Sequence, residues 1–153
     1  MTKDREPSLP HGPIASSPAR GRVLLTRVFY VSEIAEGVTD LDVQIILSVA
    51  QVNNRRLDVT GMLAQSDGHF AQLLEGRSEV IAPLLAKITS DRRHRNVRLL
   101  LQDAIATRQF SRWSMGLVRR DDMADEMRQL HVDGCDNDPA ARRMIQQLML
   151  REP

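Results

Sequence analysis

The stretch Val59-Thr60-Gly61-Met62-Leu63-Ala64-Gln65-Ser66-Asp67-Gly68-His69-Phe70-Ala71-Gln72-Leu73-Leu74-Glu75-Gly76 contains two strand-forming runs, residues 59–64 and 69–74, joined through Ser66-Asp67-Gly68. Asp-Gly supplies the positive-φ chemistry that closes a hairpin, and Gly76 ends the second run. Working outward, Val23, Leu24, Leu25, Val28, Phe29 and Tyr30 form an earlier run of β-formers, followed by Ser32 and a turn at Gly37. Between that run and the hairpin, Leu41, Ile45, Ile46, Val49 and Val52 recur at helical spacing. Asp40 is positioned to cap this helix, Asp42 adds an acidic first turn, and Asn53-Asn54 marks its expected end.

Beyond the hairpin, Val80, Ile81, Leu84, Leu85 and Ile88 predict a second helix. Pro83 implies a late start or a distortion, because proline removes one backbone donor. Residues 97–101 and 113–118 read as two further strands. The order over residues 23–118 is then β-α-β-β-α-β-β, an α+β, ferredoxin-like sandwich with two helices on one sheet face. Its other face needs a cover. Two amphipathic segments within residues 119–153 can supply it, one with Met123, Met127 and Leu130, the other opened by Asp138-Pro139 and carrying Met144, Ile145, Leu148 and Met149. Residues 1–22 hold four of the seven prolines and no periodicity, which reads as a disordered leader without the apolar core of a secretory signal.

Composition narrows the function classes. The chain has 153 residues, enough for one domain, and no apolar run near the ~18 residues of a membrane span. Lys and Arg total 21 against 20 Asp and Glu, so net charge +1 gives no electrostatic case for nucleic acid or an anionic membrane. The lone Cys135 can form neither an internal disulfide nor a thiolate cluster, and a reducing cytoplasm fits best. His11, His69, His94 and His131 lack metal-ligand spacing, and no phosphate loop or nucleophile elbow is present.

A more specific pattern lies in six segments taken together: Val28-Phe29-Tyr30-Val31-Ser32, Asn53-Asn54, Val59-Thr60-Gly61, residues 67–76, Asp91-Arg92-Arg93-His94 and Trp113-Ser114-Met115. Their order and spacing closely resemble the BLUF family of flavin-using blue-light sensors, over about residues 23–118. The resemblance implies a flavin ring between the two helices and beside the sheet: FAD first, with FMN or riboflavin as alternatives. It assigns Tyr30 as electron and proton donor and Gln72 as the amide whose rearrangement records illumination. Trp113 and Met115 are placed near that glutamine, two residues apart on the last strand. For the cofactor it implies Asn53, Asn54, Lys87, Asp91, Arg93 and His94.

Some of this also follows from the residues. Pairing of the first and third strands would set the Tyr30 phenol beside the Gln72 amide on one sheet face. Asn54 can donate and accept along a flavin ring edge. Lys87 and Asp91, four apart on a helix, would share a face, with Asp91 orienting Lys87, and Arg93 suits ribityl or phosphate oxygens.

The resulting expectation is a sensor, not an enzyme, without a linked catalytic domain. It would signal through its C-terminal helices to a separate downstream protein or another subunit of a homo-oligomer. Two other readings compete with it: a flavin-free scaffold, and a hydrolase in which Arg55 and Asn54 bind a phosphate-like anion. Yellow protein that releases flavin on denaturation separates the first reading from both.

Overall fold

The computed structural model describes residues 24–112 and 114–150; the leader and Trp113 lie outside the described residues. Five strands form one sheet, β1 (Leu25–Ile34), β2 (Thr60–Gln65), β3 (His69–Arg77), β4 (His94–Ile105) and β5 (Gly116–Arg119), in the order β4-β1-β3-β2-β5. Neighbours are antiparallel except β2 and β5, which run parallel. The helices are α1 (Asp40–Leu57), α2 (Ser78–Thr89), α3 (Ala124–Asp133) and α4 (Pro139–Met149). This is the expected β-α-β-β-α-β-β order followed by two helices.

Alternation along the strands divides the sheet into two chemically different faces. Phe29 and Val31, Met62 and Ala64, and Ala71 and Leu73 point to one face, where they form a continuous core with Met127 and Leu130 of α3 and Met144, Ile145 and Leu148 of α4. Val28, Tyr30, Leu63, Phe70, Gln72 and Leu74 point to the other, toward α1 and α2. The C-terminal segments therefore cover the sheet as their apolar stripes required, although Met149 is partly exposed. Asp138 caps α4 by accepting from the Ala140 N–H at 2.9 Å, with Pro139 in the first turn. Arg98 of β4 closes the end of α3, donating to the carbonyls of His131, Gly134 and Val132 at 2.6, 3.0 and 3.4 Å.

Several local expectations change. Thr39, not Asp40, is the N-cap of α1: its hydroxyl accepts the Asp42 N–H while the Asp42 carboxylate accepts the Thr39 N–H, a reciprocal capping box. The helix runs past Asn53-Asn54 to Leu57 and stops at Asp58, which takes the left-handed conformation. Leu41, Ile45, Val49 and Val52 do not pack on the sheet but are exposed; Val43 is buried, with Leu47 and Ala50 packed against the same cluster. The second helix starts at Ser78, without a late start, and continues through Pro83. The last strand begins at Gly116 rather than 113, leaving Met115 in the bend before it. Gly61 is required by β3, because a Cβ there would lie 2.1 Å from the Leu73 carbonyl oxygen.

Candidate functional site

The face toward α1 and α2 is not filled. A half-open cleft with a cavity volume of about 150 Å³ lies between these helices with the sheet as its floor. Ile46, Val49 and Ala50 of α1, Leu84 and Ile88 of α2, and Leu63, Phe70 and Leu74 of the sheet give it apolar walls. Its polar groups are Tyr30, Asn53, Asn54, Gln72, Lys87, Asp91, Arg93 and His94. Eight of the ten residues singled out from the sequence thus line one cavity; Met115 sits behind it, and Trp113 is outside the described residues.

The strand register places Tyr30 directly opposite Gln72. The buried Tyr30 hydroxyl donates to Gln72 Oε1, and Gln72 Nε2 donates to the Met115 sulfur at 3.4 Å. Burial first, and the Asp91 carboxylate second, push the Tyr30 hydroxyl well above the ordinary phenol range, so it remains a neutral donor. Beside Tyr30, β4 carries an irregularity: Phe29 pairs with Leu101 and Tyr30 with Leu99, leaving Leu100 as the extra residue of a bulge.

Met115 is held without being in a strand. Asn54 Nδ2 donates to the Ser114 carbonyl at 2.8 Å, and Gln51 Nε2 to the Met115 carbonyl at 3.1 Å. Two amides one helical turn apart therefore grip the segment that carries the sulfur. Gln51 escaped the sequence reading; its spacing of three from Asn54 amid apolar neighbours was the available signal. The chain leading to this segment is anchored as well. The buried Glu75 carboxylate accepts the Gln109 N–H at 2.7 Å, and Arg108 donates to the Glu75 carbonyl at 2.9 Å. Burial raises the Glu75 carboxyl above its ordinary range, an effect opposed by the Gln109 N–H and then by Arg27 and Arg108.

At the other end of the cleft, Asp91 does not orient Lys87. Its carboxylate takes the Arg93 side chain in a two-point ion pair, Nη2 to Oδ2 at 2.6 Å and Nε to Oδ1 at 3.0 Å, and accepts the Arg93 N–H at 3.0 Å. The hydrogen bonds from Arg93 hold the Asp91 carboxyl below its usual range and raise the guanidinium in turn. Lys87 is exposed at the cleft edge and forms no ion pair among the described residues. His94 is fully engaged by the protein: Nε2 donates to the Ile88 carbonyl at 2.5 Å, which leaves Nδ1 to accept the Ser32 hydroxyl at 3.0 Å. It ties the end of α2 to β1 and packs edgewise on Tyr30, ring centres 6.0 Å apart. The anion site imagined for Arg55 and Asn54 does not form, since Arg55 is exposed while Asn54 is buried against residue 114.

The family profile described as BLUF, sensors of blue-light using FAD, matches residues 25–116. The chain belongs to this family. It is 35% identical over 94 residues to the blue light- and temperature-regulated antirepressor BluF of Escherichia coli, covering 61% of this chain and 23% of that protein. The chain thus spans about a quarter of that relative's length. Among solved structures, the photo-activated state of BlsA superposes with a TM-score of 0.70 at 30% identity, covering 84% of this chain and 96% of that one. A Klebsiella pneumoniae BlrP1 structure with FMN and cyclic diGMP gives a TM-score of 0.63 at 28% identity, covering 82% of this chain and 34% of that one. Membership makes this BLUF domain a flavin-binding module for sensing blue light. No helix among the described residues is long and apolar enough to cross a membrane.

The residues fit such a group. Apolar walls on both sides suit a flat ring, and Asn53 and Lys87 line the same space with side-chain polar ends that bond to none of the described residues. The Arg93 guanidinium, fixed by Asp91, adds a cation for a ribityl or phosphate tail.

Proposed function

We propose that this chain binds FAD in the cleft between α1 and α2 and reports blue light through Tyr30, Gln72 and Met115. Asn53, Asn54, Lys87 and Arg93 are the cofactor contacts. Asp91 acts by orienting Arg93, and His94 by fixing the end of α2. The observation that carries this reading is the hydrogen-bonded series from the Tyr30 hydroxyl and Gln72 amide on the cleft floor to the Met115 sulfur behind it.

Bound there, a flavin would supply blue-light absorption and a one-electron acceptor. Tyr30 is the donor, and its hydroxyl proton already points at the Gln72 oxygen that would take it. Turning the Gln72 amide over exchanges Oε1 and Nε2. The Met115 sulfur then loses its donor, and Tyr30 meets an NH₂ group instead of a carbonyl. With Tyr30 again neutral and carrying its proton, the turned Gln72 amide would remain as the record of illumination. Trp113 retains the role the family pattern implies for it beside Met115. From Met115 the path to α3 crosses only β5 and the turn at Asp121–Met123. We place the signal's exit there, toward a separate downstream protein in the cytoplasm.

The test is a light-minus-dark absorption spectrum of purified protein, with released flavin identified by chromatography. Wild type should show a small reversible red shift. Gln72→Leu and Tyr30→Phe should keep flavin and lose that shift. Wild-type shifts in both variants would remove these residues from the mechanism, and release of FMN in place of FAD would correct the cofactor.

A further inference from the structure

The first helix carries an apolar stripe that its own fold leaves uncovered. Leu41 is 70% exposed, Ile45 49%, Val49 50% and Val52 56%, whereas the sheet side of the same helix is satisfied by Val43 and Asn54. At ~100° per residue, Leu41, Ile45 and Val52 point away from the sheet. Val49 lies between them and the cleft, which it lines. The exposed face is completed by the small Ser48, by Gln44, and by Arg55 and Arg56 in the last turn. Four large apolar side chains in one line are an interaction surface rather than scattered exposure.

Charge decides what fits it. Asp40 and Asp42 occupy the first turn of α1, while Arg55 and Arg56 occupy the last. A parallel copy of this helix would set like charges together at both ends. An antiparallel copy related by a two-fold axis reverses that: acid meets base at both ends, and one surface serves both chains. The helical angles fix the register. With the axis between Ser48 and Val49, Ile45 meets Val52 of the second copy, and Leu41 lies along the aliphatic stem of its Arg56. On one side of the contact Arg56 approaches Asp42 of the second copy. On the other side Arg55 approaches its Asp40, which is 84% exposed at its side chain and keeps a loose, exposed ion pair with Arg119 of its own chain at 3.7 Å. Ser48 at the centre lets the backbones come close.

We infer that this face of α1 is the site where a second copy of this chain docks, antiparallel and two-fold symmetric about Ser48–Val49. A single pair of helices about 27 Å long gives an interface at the small, transient end of the range. The dimer should therefore form and dissociate with concentration. Leu41, Ile45 and Val52 do not line the cleft, so this inference stands or falls apart from the flavin reading.

Sedimentation equilibrium over a wide concentration range tests it. The mass should rise from the 17.3 kDa monomer toward twice that value, and Ile45→Glu and Val52→Glu should each abolish the rise with thermal unfolding and flavin absorption unchanged. In a Cys135→Ser background, Ser48→Cys should oxidise to a self-linked dimer. Gln44→Cys should not, because two copies of residue 44 would be about 13 Å apart along the axis at ~1.5 Å per residue. A monomer at every concentration would overturn the proposal and leave the stripe to a different protein. A dimer that survives both glutamate variants would overturn it by placing the contact elsewhere, as would self-linking through position 44 but not 48.

Discussion

On the α3/α4 face, the sheet contributes Phe29, Met62 and Leu73 and the helices contribute Met127, Leu130, Met144, Ile145 and Leu148, none more than 4% exposed. On the α1/α2 face the same strands meet helices that bury very little: Val43 and Asn54 from an 18-residue α1, and Ile81 from a 12-residue α2. Both helices rest on the sheet, yet they stop short of interlocking over Tyr30 and Gln72. One face is packed to hold the fold, and the other is spread to hold a ligand. Holding the sheet rigid from behind lets the cleft side keep a weak core and a buried hydrogen-bonded amide without collapsing.

The largest test of this contrast is a cavity on the packed face. Met127 is fully buried, so Met127→Ala should cost about 2–5 kcal/mol through lost transfer energy and unfilled space. Leu84→Ala, on a half-buried residue lining the cleft, should cost distinctly less in flavin-free protein, because its side chain is already partly in solvent. Thermal and denaturant unfolding of the two variants measures the difference. Equal losses would mean that the cleft face bears as much of the stability as the other.

The packed face was also the easier one to read. Met123, Met127, Leu130, Met144, Ile145 and Leu148 sit in polar surroundings, so their spacing has one interpretation, and all six are buried. The first helix has apolar residues nearly all round, Leu41, Ile45, Ile46, Leu47, Val49, Ala50 and Val52. Its period marks a helix without saying which side faces the sheet. Tyr30 and Gln72 were legible because strand alternation and the family pattern agreed. Met115 was recognised but misplaced. Residues 114 and 115 look extended, yet their carbonyls are taken by Asn54 and Gln51 of α1, and pairing with β2 begins only at Gly116 opposite Met62. Long-range grips of this kind leave no periodic trace. Asp91 misled for a related reason: the four-residue spacing to Lys87 was real, but Arg93 forms a tighter two-point pair from two residues away.

A middle-sized effect should come from the residue that joins both roles. Asn54 is buried, lines the cleft and holds the Ser114 carbonyl. Asn54→Ala leaves that carbonyl without its partner and removes a donor and acceptor from the cofactor's side. The combined cost is about 1–3 kcal/mol, read as flavin binding weaker by roughly 5- to 150-fold in fluorescence titrations of folded protein. Unchanged affinity would make Asn54 purely an anchor for the Met115 segment, and the cleft would then depend on Asn53 for its ring-edge contact.

The smallest effect belongs to the edge of the packed face. His69, at the start of β3, packs against His131 of α3 with the rings tilted by 58° and their centres 5.4 Å apart, and His131 Nε2 lies 2.8 Å from the Asn96 carbonyl. Burial chiefly, and His131 and Arg128 to a lesser degree, hold His69 below its ordinary 6.5, while the Asp67 backbone and Glu33 pull the other way. A base whose folded value is depressed binds its proton later in the native state than in the unfolded chain. Stability should therefore be intact above 6.5 and fall as pH drops through that value toward the depressed one, then level off for this group. His69 is only partly buried, so solvent screening keeps the loss smaller than that from Met127→Ala or Asn54→Ala. Unfolding midpoints of wild type and His69→Gln across pH 7.5 to 5 measure it. The wild-type slope should exceed the variant's, because glutamine takes up no proton. Parallel curves would show that the histidine pair places no acid-sensitive load on α3, and that the packed face keeps its hold on the sheet regardless of this edge.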